Sequence, residues 1–346
     1  MNKIYNLDWL QFSAFIDPLE WDKTISKSIF KIVNCDFSTR HFRTIREIWD
    51  IRQNKRIAII TYHPHSSALN KNMAIIKIDN WLLYQKYIIN YLCDFINTLN
   101  IQFNNLSRID ICCDFNKIDY RNIHPAKFIK SFLSGYYVKL RKSKGQVYFE
   151  QGEQLDFQYL KFGSGKSRVC SYIYNKTKEL DQVTNKPHIR DVWKENGLSG
   201  EIWRCEFRIQ NFDFLLTDTD SGEQISFNGN ISGLNSLDII NSIKPLFDAL
   251  SNHYLHFKIK DCKDSNKSRL TSFLLFDNNQ QFLFNKTYND NIESGRSEKI
   301  FIKKLYELNN ELRGTDHELS IYGEEVLKKV INATELHDWA KHRQII

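Results

Sequence analysis

Apolar positions recur along this chain with two periods, every second residue over short runs and every third or fourth over longer ones, which mark strands and helices respectively. Residues 56–61 alternate as a strand, the turn-rich HPHSSALNKN follows, and residues 73–78 alternate again, which predicts a hairpin-like unit. From Trp81 to Leu99 the positions Leu82, Leu83, Ile88, Ile89, Leu92, Phe95, Ile96 and Leu99 keep helical spacing, and Asp79 or Asn80 can cap the free N–H groups at the start. Residues 108–115 alternate as a strand. Pro125 and Gly135 then bracket a second helix through Phe128, Ile129, Phe132 and Leu133. Five further runs, at 136–140, 146–151, 156–162, 168–175 and 202–210, read as strands parted mostly by polar or glycine-containing turns. Helical patterns return at 236–254, interrupted by Pro245, and again at 297–313 and 324–342.

Adjacent strands with few helices between them predict an α+β fold. Its sheet is expected to be largely antiparallel, with helices on one face, and built from ββαβ-like units. Composition changes at the lysine- and serine-rich stretch 263–269, which suggests a boundary near residue 260 and a mainly helical region from 261 to 346. No solenoid-length repeat and no low-complexity tract is evident.

At 346 residues with 42% hydrophobic positions, the chain is long enough to bury its own core. The 48 Lys and Arg against 41 Asp and Glu give +7, a modest excess that permits a phosphate-bearing partner without requiring one. Rings add weight to that reading, because 24 Phe, 16 Tyr and 7 Trp supply surfaces on which single-stranded nucleic acid stacks, although most of them belong to the core. Seven scattered cysteines without a CxxC spacing argue against a zinc module or a disulfide framework and for a reducing compartment. Residues 1–22 show no secretory signal pattern and no run approaches the length of a membrane span, so a cytoplasmic protein away from membranes is expected.

Four segments can carry chemistry. In Arg108-Ile109-Asp110-Ile111-Cys112-Cys113-Asp114-Phe115, alternation puts Arg108, Asp110, Cys112 and Asp114 on one face, where two carboxylates could share a hard divalent cation or simply pair with Arg108. The run Gly163-Ser164-Gly165-Lys166-Ser167 resembles a P-loop, but Leu160 stands where that pattern needs its first glycine and strand-like residues follow, which rejects nucleotide binding. A glycine turn with Lys161, Gly163, Lys166 and Arg168 can still approach a DNA phosphate. Along the next strand Tyr172, Tyr174 and Lys176 share a side, setting a phenol beside an ammonium, and a phenol near a polarised phosphate can act as a nucleophile. In Trp203-Arg204-Cys205-Glu206-Phe207-Arg208 an acid is flanked by two arginines on one face. His63-Pro64-His65 reads as a turn, because Pro64 would break a central ladder.

Taken together these blocks resemble the replication initiation factor family, the rolling-circle initiators and related relaxase-like proteins of plasmids, filamentous phages and integrative elements. The resemblance rests on R-x-D-x-x-x-D-F at 108–115, Y-L-K-F-G-S-x-x-S at 159–167, I-Y-N-K-x-x-E at 173–179 and W-R-x-E at 203–206, and it covers roughly residues 105–210. It implies a bacterial endonuclease that nicks and rejoins one origin strand through a tyrosine joined to the 5′ phosphate, leaving a 3′-OH for a polymerase. Tyr174 is then the nucleophile and Lys176 a neighbouring cation. Asp110, Asp114 and Glu206 are then the ligands of Mg²⁺ or Mn²⁺. The DNA would meet Arg108, Lys161, Gly163, Lys166, Arg168, Lys178, Arg204 and Arg208. Host helicase and polymerase are the implied partners, with homodimerisation open. A mobilisation relaxase and an inactive origin-binding regulator are the alternative readings. Gly165 departs from the commoner G-S-R-x-S form, which leaves an arginine role there unfilled.

Overall fold

A computed structural model describes residues 2–17, 29–67, 69–140, 145–150, 156–163, 167–210, 214–222, 224–227, 243–260, 271–277, 282–286, 301–311, 317–333, 336 and 340–341. Sixteen strands are described: β1 (Ile4–Phe15), β2 (Phe30–Cys35), β3 (Phe42–Asp50), β4 (Lys55–Pro64), β5 (Met73–Ile78), β6 (Gln102–Phe115), β7 (Tyr137–Lys139), β8 (Gly145–Glu150), β9 (Asp156–Phe162), β10 (Val169–Asn175), β11 (Trp203–Ile209), β12 (Phe214–Asp218), β13 (Gln224–Phe227), β14 (His256–Ile259), β15 (Ser272–Leu274) and β16 (Phe282–Lys286). The helices that matter for the site are α1 (Asn80–Leu83), α2 (Ile88–Thr98), α3 (Pro125–Leu133), α4 (Lys176–Gln182), α5 (Pro187–Glu195) and α6 (Ile243–Tyr254).

Ten strands form one sheet in the order β2-β3-β4-β5-β1-β6-β11-β10-β9-β8, and every ladder in it is antiparallel. The α+β class with an antiparallel sheet is therefore as expected, and the successions β4-β5-α1-α2-β6 and β9-β10-α4-α5-β11 both run as ββαβ-like units. Two smaller sheets, β13-β12-β16 and β15-β14-β7, complete the strands. Helices flank both faces, not one. From α6, Phe247 stacks edge-on against Phe207 of β11, 5.2 Å between ring centroids, while Trp193 of α5 reaches Asp114 on the opposite, polar face of the neighbouring strand β6.

Local chemistry explains several boundaries. Pro125 opens α3, where its missing N–H is not needed, and His124 caps the helix by accepting from Ala126 N. Asn175 ends β10 and caps α4, its side chain accepting from Lys178 N at 2.9 Å. The expected single helix from Trp81 to Leu99 is instead two, parted at 84–87, and neither Asp79 nor Asn80 caps α1 through its side chain. Asp79 binds Arg56, and Asn80 and Tyr84 turn their polar groups into the site described below.

The chain divides into two compact units, Met1–Asn285 and Lys286–Ile346. The composition change near residue 260 is thus not the division, because β14 and β15 pair with each other from either side of it. In the second unit residues 301–311 and His317–Ala333 are helical, and Ile302, Leu327, Ile331 and Ala340 form its buried cluster. Among the described residues no helix is long and apolar enough to cross a membrane.

Candidate active site

Three neighbouring strands bring the motifs together. On β11, Arg204, Glu206 and Arg208 stand opposite Asp114, Cys112 and Asp110 of β6, and on the other side Glu206 and Arg204 stand opposite Tyr172 and Tyr174 of β10. A pocket of about 450 Å³ opens over this polar face, and its lining includes Asp8, Asp110, Tyr174, Lys176, Glu206 and Arg208. Arg108 and Lys178 also line it.

At its centre the Tyr174 hydroxyl donates to Glu206 Oε2 at 2.9 Å. Burial, and then the charges of Asp110 and Asp8, push the Glu206 carboxyl up to about 7, against the pull of Arg204 and Lys176. Burial and the Glu206 carboxylate likewise hold the Tyr174 phenol well above its ordinary value of 10. Tyr174 therefore keeps its proton at neutral pH, and the atom in contact with that proton belongs to a carboxylate that half-titrates there. Lys176 does not continue the strand as alternation suggested. It is the first residue of α4, pairs with Glu179 one turn on, and still brings its ammonium to 5.5 Å from the Tyr174 ring centroid.

Asp114 and Arg204 are not the residues that the resemblance implied. Arg204 is fully buried and grips Asp114 in a two-point pair, Nε to Oδ1 at 2.6 Å and Nη2 to Oδ2 at 2.7 Å, while the Trp193 indole donates to Asp114 Oδ2 at 2.7 Å. Asp114 thus has both oxygens engaged, and it stands four residues from Asp110, about 13 Å along an extended strand. That is too far to share one ion. Arg204, lacking any exposed surface, is a buried ion-pair partner and not a DNA contact.

Asp8 is the acid that the sequence reading missed. In β1, Leu7 pairs with Ile111 and Trp9 with Asp110, which leaves Asp8 as the extra residue of a bulge, aimed into the pocket. Arg204 Nη1 and Tyr84 Oη each donate to its Oδ1 at 2.6 Å, and Asn80 Nδ2 bonds both its carbonyl and its carboxylate. Burial would raise its pKa, but Arg204 outweighs that, with Lys176 and Lys186 adding to the effect, and holds Asp8 well below the usual carboxylate range. The available signal was an acid next to a tryptophan inside the apolar run IYNLDWLQFSAF.

Asp110 does enter the pocket, but Arg108 donates to both of its oxygens, Nε to Oδ1 at 2.8 Å, and Arg208 Nε lies 3.4 Å from Oδ2. As arranged, these acids do not fit a shared divalent ion: Asp114 and Asp110 are matched by arginines and Asp8 by Arg204. Among the described residues no three His, Cys, Asp or Glu side chains gather so as to hold a metal.

Gly163 has φ +95, and an added Cβ would lie 3.1 Å from Val169 O, which accounts for glycine just after β9. Gly163, Lys161 and Arg168 are not among the pocket-lining residues; Lys161 instead lies over the Tyr172 ring, 5.5 Å from its centroid. Lys166 and Gly165 fall outside the described residues. His63 and Pro64 are not in the expected turn but are the last two residues of β4, Pro64 standing opposite Phe42 of β3 at the strand's end; His63 has φ +56, bonds Thr44 and is not among the pocket-lining residues.

No family model matches the chain, and no curated protein matches it. Among solved structures it is similar to that of a rolling circle replication initiator protein from Geobacillus stearothermophilus. The two share a TM-score of 0.45 and 12% identity over 78% of this chain and 92% of that one.

Proposed function

We propose that this chain is a DNA strand-nicking and strand-joining enzyme that acts at an origin, as rolling-circle replication initiators do. The observation that carries the reading is the Tyr174–Glu206 hydrogen bond, set in a pocket rimmed by Arg108, Lys178 and Arg208. The order and spacing of the four sequence blocks support it independently.

In the proposed reaction Glu206 takes the phenolic proton as Tyr174 Oη attacks phosphorus. The Oη–P bond forms and the P–O3′ bond breaks. The departing 3′ oxygen leaves as a hydroxyl, receiving a proton from the Lys176 ammonium. Arg208 and Arg108 offset charge on the non-bridging phosphoryl oxygens, a task for which guanidinium forks are suited. Rejoining reverses each step. Since the acids do not gather around an ion, no step here depends on one.

The test uses labelled single-stranded DNA from the noncoding region beside the gene, with chelator or with Mg²⁺ or Mn²⁺. Wild-type protein is expected to form a covalent adduct, Tyr174→Phe none, and Tyr172→Phe to retain it. An adduct that requires added Mg²⁺ or Mn²⁺ would overturn the ion-free route while leaving the tyrosine in place. Binding without an adduct under any condition would mark an inactive origin-binding regulator. An adduct formed only at a transfer origin would mark a mobilisation relaxase.

A further inference from the structure

Beside Tyr174 the polar face of the sheet carries alternating rings and cations across six strands. Trp9 on β1 lies under the Arg108 guanidinium, 4.0 Å from its centroid, and under Lys77 of β5 at 3.7 Å. Arg108 is held by Asp110, and Asp110 also meets Arg208 of β11. Arg208 in turn lies 5.1 Å over Tyr172 of β10, and Lys161 of β9 lies over that same ring. The row therefore reads ring, guanidinium, carboxylate, guanidinium, ring, ammonium.

Several observations set this row apart from core packing. Its rings are half-buried, and the arginine side chains keep 18% and 30% of their surface while Asp110 keeps 3%. Two guanidiniums share the Asp110 carboxylate and Arg208 also lies 3.9 Å from Glu206, so with Lys77 and Lys161 the row sets four cations against two acids. Both rings, both arginines and Asp110 line the pocket that holds Tyr174. From β1 to β10 the row crosses three inter-strand steps, about 14 Å. Flat rings alternating with cations over that span suit a strand whose bases are unpaired, each base offering a π-face and each linkage a phosphate.

We infer that this row seats unpaired DNA: the Lys77 and Lys161 ammoniums move off Trp9 and Tyr172 onto phosphates, which frees each ring as a base platform on either side of a phosphate clamp formed by Arg108 and Arg208, which Asp110 spaces. The inference rests on the nicking reading and names how the substrate strand is held. Asp110 then organises the two arginines and is not an ion ligand. Tyr172 serves through its ring, so Tyr172→Phe is expected to keep the adduct.

The experiment compares a fluorescent oligothymidylate of about twenty nucleotides with an abasic deoxyribose-phosphate strand of equal length, both followed by anisotropy. Charge is equal in the two probes, so any preference reports base stacking. The full-length protein is expected to prefer oligothymidylate. Loss of each ring, in Trp9→Ala and in Tyr172→Leu, is expected to weaken that binding about tenfold and leave abasic binding unchanged, since a stacked base is worth about 1–3 kcal/mol. The doubly conservative Trp9→Phe/Tyr172→Phe protein should retain the preference, which separates lost stacking from lost folding. Equal binding of the two probes by wild-type protein, or an undiminished preference in the ring-less variants, overturns the inference. An adduct without base preference sinks the seat and spares the nickase; base preference without any adduct does the reverse.

Discussion

Glu206 loses its proton later than an exposed glutamate, and two pH dependences follow. Activity comes first. Proton acceptance needs the carboxylate, so the rate of adduct formation should rise with pH through about 7 and then level. Glu206→Gln should lower that rate about 10²- to 10⁴-fold and abolish the rising limb, measured by quenched time courses from pH 5.5 to 8.5. A Gln variant with the wild-type profile would remove Glu206 from the chemistry. Stability comes second. Because the folded pKa lies above the ordinary 4.5, the native state binds this proton more tightly. The associated stability is complete below about 4.5 and is lost as pH rises through about 7. Glu206→Gln removes that loss, so its Tm relative to wild type should climb between pH 5 and pH 8. A constant difference would contradict the raised carboxyl.

At the scale of elements, the hinge of the site is the pairing of β11 with β6. Arg204, Asp114, Trp193, Tyr84 and Asp8 are joined by hydrogen bonds of 2.6 to 2.9 Å in the interior. Removing one charge strands the other, so Arg204→Met should cost about 3–5 kcal/mol in denaturant unfolding, and Asp114→Asn a comparable amount. The double variant should cost less than the sum of the two, since Asp114 is then no longer left charged without its arginine, although Asp8 still loses its Arg204 partner. Additive losses would mean that the pair is not coupled.

The same elements show what could be read from sequence and what could not. The strands β4, β5, β9, β10 and β11 were legible because clean alternation meets polar turns, and α3 because Pro125 and Gly135 mark its ends. The strand β1 was not. Its register shifts at Leu7/Trp9, Gln11/Phe12 and Ser13/Ala14 break the two-residue period, and buried Ile4, Leu7 and Leu10 fall three apart, which imitates neither a strand nor a full helix. Asp8 was hidden for that reason. Tyr174, Glu206 and Asp110 were legible as a group, whereas the fate of Asp114 and Arg204 depended on Trp193 and Tyr84, distant in sequence and reaching in from α5 and from the break after α1. That break is itself a tertiary effect, since nothing in the apolar spacing from Trp81 to Leu99 announces it.

For the whole molecule, the net charge of +7 is small, and the positive charge that would meet DNA lies in one row on one face of the sheet. Binding of single-stranded DNA should therefore be steeply salt-dependent but local in origin. Lys161→Ala should reduce the slope of log K against log salt by about 0.7, the value for one phosphate contact with a single strand. Lys303→Ala, in the second unit, should leave the slope unchanged. Anisotropy titrations at several salt concentrations check both, and an equal effect of the two substitutions would point to diffuse attraction.

The most direct measurement is the identity of the tyrosine that keeps nucleotide. Protein incubated with labelled single-stranded DNA is digested with protease, and the nucleotide-bearing peptide is sequenced by mass spectrometry. The account predicts the label on Tyr174. Label on Tyr172, on Tyr159 or on a residue outside the pocket would contradict it.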